Sequence, residues 1–181
     1  MKAILMSVRP KWIKKIFEKE KTAEIRKNFP EIELPITIYL YCCKNDKLDY
    51  CVLDDYTSWF IDKHCRGKIC AKFTLNKVSR YINGLNKMYL EHGAGSCNDF
   101  EAVLKPSCLT EEELTAYSND LSFQALHIDD LEVFSKPRRL DEFYKYKFIE
   151  DTNITHKGRH FRPYLKLEKA PQSWCYIEVA R

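Results

Sequence analysis

The chain lacks the glycine-rich motifs that P-loop and dinucleotide-binding proteins use to hold phosphates. Its 181 residues include only five glycines, and none belongs to a P-loop, a G-x-G-x-x-G turn or a G-x-S-x-G nucleophile elbow. The first two motifs place backbone N–H groups around phosphates, and the third presents a serine nucleophile at a sharp turn. We therefore expect neither nucleotide hydrolysis through these cradles nor serine hydrolysis through that elbow.

Long hydrophobic runs are also missing, although hydrophobic residues make up 45% of the chain. The apolar stretch at residues 3–8 is too short for the hydrophobic region of a secretory signal. No run approaches the roughly 20 apolar residues that cross a bilayer. The sequence therefore predicts no membrane segment and a cytoplasmic location.

Cysteine is plentiful, but no two cysteines form the C-x2-C pair typical of zinc sites. Cytosolic thiols stay reduced, and buried ones pack as small hydrophobic groups. Zinc is kept as an alternative, because His64, Cys65 and Cys70 lie near Cys51 in sequence. We expect no metal, no cofactor and eight reduced thiols. The eight are Cys42, Cys43, Cys51, Cys65, Cys70, Cys97, Cys108 and Cys175.

Charge is distributed unevenly along the chain, whose formal net charge is +4. Residues 1–30 contain nine Lys/Arg against three Asp/Glu, and residues 157–181 contain six against two. If these basic ends are neighbours in space, they form a positive surface that attracts phosphates and other anions. The alternative is that these lysines only solubilise a surface helix.

One short stretch places a lysine, a glutamate and an arginine at fixed spacing. Residues 22–27 predict a strand, in which Thr22, Glu24 and Arg26 share one face and Lys21 stands at the start. An acid and a guanidinium so placed can grip a polar, partly anionic ligand. From the spacing alone, a solvent-exposed Glu24–Arg26 pair is the simpler interpretation, and it would contribute only about 0–1 kcal/mol to stability.

The periodicity of the chain predicts an α+β fold in a single domain that spans residues 1–181. A helix at residues 10–20 separates the first two strands, and the pair Thr110 and Glu113 predicts a capping box that starts a short peripheral helix. Five or six short strands suit a small, partly open β-barrel. The predicted strands cover residues 1–8, 22–27, 36–43, 68–78, 126–134 and 174–179. Irregular insertions are expected around residues 44–66, 81–108 and 145–166.

The motif and its surroundings resemble the ASCH family, whose fold is a PUA-like β-barrel. Lys21, Glu24 and Arg26 match the K, E and R of the family signature G-x-K-x-x-E-x-R, while Lys19 stands in place of the glycine. Later segments resemble a phage and bacterial branch of the family, so the likeness covers nearly the whole chain. These segments are residues 108–114, 126–131, 136–143 and 170–176, while residues 7–12 share in the family likeness of the motif itself.

The resemblance implies a module that binds RNA or a modified nucleotide. Lys21 and Arg26 would then contact phosphates or base edges, and Glu24 would accept from an exocyclic amine. Trp12, Tyr41 or Trp174 would supply a stacking surface, although each of these rings also suits the core. The expected ligand-binding residues are Lys21, Thr22, Glu24, Arg26, Tyr41, Gln172, Ser173 and Trp174.

The alternative from the same resemblance is a small hydrolase, either an amidohydrolase acting on an acylated nucleoside or a ribonuclease. The amidohydrolase relatives use a lysine, a threonine and a glutamate. Lys21 matches that lysine, but Glu24 occupies the threonine position and Thr22 stands at a different place. A catalytic role would therefore rest on Lys21 and Glu24 as the general acid and base.

Overall fold

The computed structural model describes residues 2–44, 55–84, 87–90, 99–118, 122–145 and 165–179. Within these segments, strands form two sheets, and short helices cover them. The strands are β1 (Lys2–Val8), β2 (Ala23–Arg26), β3 (Ile36–Cys42), β4 (Ile69–Leu75), β5 (Val78–Gly84), β6 (Lys87–Leu90), β7 (Phe123–His127), β8 (Asp129–Arg138), β9 (Tyr144–Lys145) and β10 (Trp174–Glu178). The α-helices are α1 (Pro10–Phe17), α2 (Tyr56–Phe60), α3 (Asp99–Ser107) and α4 (Glu111–Ser118).

The larger sheet has the strand order β8-β4-β3-β1-β10-β9, and its central strands β1 and β3 are largely buried on both faces. Its central strand β1 runs parallel to β3 and antiparallel to β10. Ile4 and Met6 face one apolar cluster, which includes Ile13 and Ile16 of helix α1. Leu5 faces a second cluster on the other side. Helix α1 therefore lies over one face of this sheet, as its apolar stripe predicts.

The smaller sheet has the order β2-β7-β5-β6, and helices α3 and α4 pack against it. Ala23 and Ile25 of β2 share a buried cluster with Val103 of α3 and Leu114 of α4. Strand β2, which contains the Glu24 and Arg26 of the motif, is thus held between β7 and two helices.

The prediction of one barrel-like sheet is wrong in two respects. Strand β2 belongs to the smaller sheet, and the predicted strands 68–78 and 126–134 each divide into two strands that lie in different sheets. The chain changes sheets just after Leu75 and at Ile128, where the amide of Asn76 bonds Asp129 with an N–O distance of 3.2 Å. In the described segments the two sheets do not close into one hydrogen-bonded barrel. The α+β class is confirmed.

Regular structure occupies parts of the predicted insertions. Within 44–66, Asp55 caps helix α2, which continues into a π-helical turn at Ile61–Cys65. Within 81–108, β5 and β6 form a hairpin and α3 follows. A short bridge joins Tyr144 to Lys166 across the third insertion, and residues 146–164 lie outside the described residues.

The cysteines that the structure describes pack as apolar groups or lie near the surface. Cys42, Cys65 and Cys70 are fully buried in the main core cluster, and burial raises the pKa of the Cys70 thiol. All six described cysteines are free thiols. Cys51 and Cys97 lie outside the described residues, so the expectation of eight reduced thiols stays a prediction. None of the helices in the described segments is long and apolar enough to cross a membrane.

Helix α1 ends at a lysine in the left-handed region, with φ of 60° at Lys19. The Lys19 N–H bonds the Ile16 carbonyl at 3.0 Å and the Glu20 N–H bonds the Lys15 carbonyl at 2.9 Å. This is the Schellman arrangement that usually ends on glycine. Lys19 is also the position where the ASCH signature has glycine, and a side chain in this conformation costs roughly 1–2 kcal/mol.

We expect Lys19→Gly to raise the free energy of unfolding by about 0.5–1 kcal/mol, because relief of strain exceeds the added freedom of the unfolded chain. Urea denaturation measures this change. Glu18→Gly is the matched control, since Glu18 has an ordinary φ of −77°. This substitution should lower the free energy of unfolding by about 1 kcal/mol. Equal losses from both substitutions would contradict the prediction.

Candidate ligand-binding cleft

Strand β2 aims the charged side chains of the motif away from its apolar cluster, as the alternation predicts. Ala23 and Ile25 face the cluster under helices α3 and α4, and Glu24 and Arg26 face the other way. Only 6% of Glu24 and 8% of Arg26 is exposed. The Glu24–Arg26 pair exists, but it is buried, so the simpler interpretation of a solvent-exposed pair is wrong.

Glu24 bridges the two cations of the motif. Its Oε1 lies 2.9 Å from a terminal nitrogen of Arg26, and its Oε2 lies 3.4 Å from Lys21 Nζ. Lys21 Nζ also donates to the Ser107 carbonyl at the end of helix α3, at 2.7 Å. Burial lowers the pKa of Lys21, and the charge of Glu24 opposes that shift. Buried ions need such partners, because each would otherwise lose its hydration without compensation.

Arg26 connects the two sheets through hydrogen bonds. Its guanidinium donates to the Ser7 carbonyl in β1 at 2.8 Å and to Ser173 Oγ, just before β10, at 3.3 Å. The Ser7 hydroxyl in turn donates to the Pro171 carbonyl at 2.6 Å. The buried Nε of Arg26 has no hydrogen-bond partner within the described part of the chain. The two terminal nitrogens, and not Nε, fix the position of the guanidinium.

These charged groups form the floor of a cleft of about 570 Å³. Trp12 of helix α1 and Tyr117 of helix α4 stand among its lining residues. Lys11 Nζ lies 4.3 Å from the Trp12 ring centre, and Lys27 Nζ lies 5.2 Å from that of Tyr117. The remaining lining residues are Ser7, Val8, Arg9, Lys11, Lys21, Glu24, Ile25, Arg26, Cys43, Leu109, Glu113, Ala116, Gln172 and Ser173. Four lysines and arginines against two glutamates give the cleft a positive balance.

Five of the predicted site residues line this cleft, and three do not. The five are Lys21, Glu24, Arg26, Gln172 and Ser173. Thr22 is exposed, and its backbone bonds Pro106 and Ile128. Tyr41 is buried in the apolar cluster on the opposite face of the larger sheet. Trp174 packs edge-on against Phe29 at 5.8 Å and donates to the Asn28 carbonyl at 2.8 Å.

The sequence did not indicate that helix α4 forms one wall of the cleft. The predicted capping box is confirmed, since Thr110 Oγ1 accepts from the Glu113 N–H at 3.2 Å and Glu113 accepts from the Thr110 N–H at 3.1 Å. The capping box marks where the helix starts, and it holds no information on what the helix faces. Tyr117 enters the cleft because α4 packs on β2, where its hydroxyl lies 3.4 Å from the Ile25 carbonyl.

The described part of the chain offers no alternative metal centre. No group of three or more His, Cys, Asp or Glu side chains is placed there to hold an ion. His127 bonds Ser79 Oγ at 2.8 Å, and burial lowers its pKa.

Comparison with solved structures identifies the architecture around this cleft. The chain is similar to the crystal structure of ASCH from Zymomonas mobilis, with a TM-score of 0.50, 16% identity, and coverage of 77% of this chain and 74% of that chain. The fold resembles that of this ASCH protein. Two variants of that protein, a tyrosine-to-phenylalanine and a serine-to-alanine substitution, give the same TM-score and identity and are covered over 76% and 75% of their length.

The likeness extends to the fold alone, because so low an identity does not transfer residues or activities. No family model and no curated protein matches the chain. The ASCH architecture agrees with the resemblance read from Lys21, Glu24 and Arg26. The assignment to a phage and bacterial branch stays a prediction.

Proposed function

We propose that this protein binds single-stranded RNA or a nucleotide in the cleft over Arg26. The observation that supports the proposal best is the guanidinium of Arg26, which lines a cleft of positive balance and is held in place by Glu24, Ser7 and Ser173. An arginine fixed by several bonds can donate to a base edge or a phosphate with little further loss of side-chain freedom. The ASCH fold is compatible with this role.

The walls of the cleft suit the two ends of a nucleotide. Tyr117 is 41% exposed and offers a ring face on which a base can stack. Lys11 and Lys27, whose ammonium groups lie beside the two aromatic rings, place positive charge where a phosphate would follow the base. Glu113 supplies an acceptor for an exocyclic amine.

Differences in burial and contacts support a different proposed part in binding for each motif residue. The side chain of Lys21 is only 2% exposed, and its amine bonds Ser107 and Glu24. We assign to Lys21 and Glu24 the positioning of Arg26 and of helix α3. Arg26, Tyr117 and Glu113 are the residues proposed to contact the ligand.

Tyr117→Ala should weaken binding of single-stranded RNA by about 1–3 kcal/mol, the usual contribution of one stacked base. Isothermal titration calorimetry with a mixed-sequence oligonucleotide measures the change. The matched control is Tyr56→Ala, which removes a tyrosine that is 74% exposed on helix α2 and should leave affinity unchanged. Equal affinities for the parent and Tyr117→Ala proteins would remove the stacking role.

Hydrolysis of a modified nucleoside or of RNA is the second candidate, and the lowered pKa of Lys21 favours it. A lysine whose pKa is lowered gives up its proton more readily, which suits it to act as a general base. Glu24 lies 3.4 Å away and can exchange a proton with it. Incubation with acylated cytidine and with RNA tests this candidate. If the parent forms product, and Lys21→Met abolishes product formation but not ligand binding, an enzymatic function replaces the binding proposal.

A further inference from the structure

A second cleft, of about 720 Å³, lies next to the first, and the Cys43–Lys44 segment separates the two. Its lining has five basic side chains and two carboxylates, Asp141 and Glu168. We call the basic set the basic rim. It consists of Lys44, Arg66, Lys68, Arg139 and Lys166.

The basic rim begins where the first cleft ends. Cys43 lines the first cleft and Lys44 lines the second. The Cys43 N–H bonds the Val8 carbonyl at 2.9 Å, and the Gly67 N–H bonds the Cys42 carbonyl at 2.9 Å. The ends of β1 and β3 and the start of β4 are therefore direct neighbours at this end of the larger sheet.

The basic rim continues along the strand ends to β8, the strand at the edge of the larger sheet. Ile69 at the start of β4 pairs with Arg138 at the end of β8, which places Arg139 beyond Lys68. Adjacent strands are 4.7–4.9 Å apart, so the three steps from β1 to β8 cover about 14 Å. Arg9, Lys44, Lys68 and Arg139 thus follow one another along the strand ends, starting at the first cleft.

Part of this charge is not neutralised by nearby carboxylates. Arg66 pairs with Asp62 at 2.6 Å and Arg139 pairs with Asp141 at 2.8 Å. Lys44, Lys68 and Lys166 have no ion pair with another described residue. Lys44 and Lys166 are exposed and can reach toward a bound anion.

We propose that the basic rim binds the phosphate backbone of a single-stranded nucleic acid whose base occupies the cleft over Arg26. The inference rests on the proposed function of that cleft and extends it, because it makes the partner a polynucleotide rather than a free nucleotide. A row of cations that begins at a stacking site matches the arrangement by which proteins hold single strands. A base inside a duplex cannot enter the first cleft, so a single strand is the form that engages both.

The proposal is tested by comparing ligands of different length on the full chain. The probes are the four nucleoside monophosphates, a mixed-sequence RNA of about eight nucleotides, the same RNA as a duplex, and a poly-glutamate peptide of similar charge. The variant is Lys44→Ala/Lys68→Ala. The control is Lys2→Ala/Lys77→Ala, because Lys2 begins β1 and Lys77 follows β4 at the opposite end of these strands.

We expect the parent protein to bind the single-stranded octamer at least about tenfold more tightly than any monophosphate. Lys44→Ala/Lys68→Ala should bind the octamer about tenfold more weakly. The slope of log affinity against log salt concentration should become shallower by about 1.4, since each phosphate contact to a single strand contributes about 0.7. Its affinity for monophosphates, and the octamer affinity of the control, should not change.

If Lys44→Ala/Lys68→Ala binds the octamer as tightly as the parent does, the basic rim is not a backbone site. The proposed function would still stand in that case if the parent binds monophosphates. Equal or tighter binding of the duplex or of poly-glutamate would also overturn it. If the parent binds neither RNA nor monophosphates, the proposed function fails and the inference fails with it.

Discussion

Glu24→Gln is expected to lower the free energy of unfolding by about 3–5 kcal/mol, as typically follows when one partner of a buried ionic group is removed. The carboxylate bridges Lys21 and Arg26, and all three residues are less than 10% exposed. Without it, two buried cations face each other with no negative charge between them. Urea denaturation of the parent and variant measures the change.

Two further variants separate this effect from a general sensitivity of the region. Lys21→Met in the Glu24→Gln background removes one of the two unpaired cations and should recover part of the loss, so the two substitutions should be strongly non-additive. Glu20→Gln alters an exposed carboxylate that pairs with Lys15 and should leave stability nearly unchanged. Additive effects of the two buried substitutions would show that Glu24 does not act as the bridge.

Arg26→Lys is expected to weaken nucleotide and RNA binding by about 10- to 100-fold, equivalent to about 1.5–3 kcal/mol. Lysine keeps a positive charge beside Glu24 but lacks the planar fork, so it cannot hold Ser7, Ser173 and a ligand at once. Calorimetric titration, carried out well below the melting temperature of the variant, measures the loss. Thermal unfolding of the same sample verifies that the variant is folded.

Arg80→Lys is the control for this prediction. Arg80 pairs with Glu31 at 3.0 Å and lines a different cleft, which Pro30 and Ser79 also border. Its substitution should leave ligand affinity unchanged. A folded Arg26→Lys protein that binds as tightly as the parent would make Arg26 a purely structural connection between the sheets.

Features set by neighbouring residues could be predicted from the sequence. The alternation along β2 places Glu24 and Arg26 on one face, and the Thr110–Glu113 spacing gives the capping box of helix α4. Each depends on the geometry of a single element. The position of Lys21 beside Glu24 follows from the same short stretch.

Features set by distant contacts could not be predicted. The membership of β2 in the smaller sheet depends on its hydrogen bonds to β7, more than ninety residues later. The placement of Tyr41 depends on which of two buried faces it meets, since Ile38 and Leu40 face one cluster and Tyr39 and Tyr41 face the other. Both faces are apolar, so the pattern gives the alternation but not the layer that a ring joins.

The buried state of the motif has the same origin. Arg26 is covered because Ser7 and Ser173, which lie far apart in sequence, meet over it when β1 pairs with β10. No local signal distinguishes a buried Glu24–Arg26 pair from an exposed one. The ASCH resemblance predicted a site at Lys21, Glu24 and Arg26, and the packing of the two sheets gives the candidate cleft over them its shape.

The most direct test of the account is a crystal structure of the protein soaked with nucleoside monophosphates at millimolar concentration. We predict a nucleotide in the cleft, with its base stacked on Tyr117 and a polar atom of the ligand within about 2.7–3.2 Å of the Arg26 guanidinium. Its phosphate should lie within reach of Arg9 and Lys11, which line the cleft. A nucleotide bound elsewhere, or an empty cleft at saturating concentration, would contradict the account.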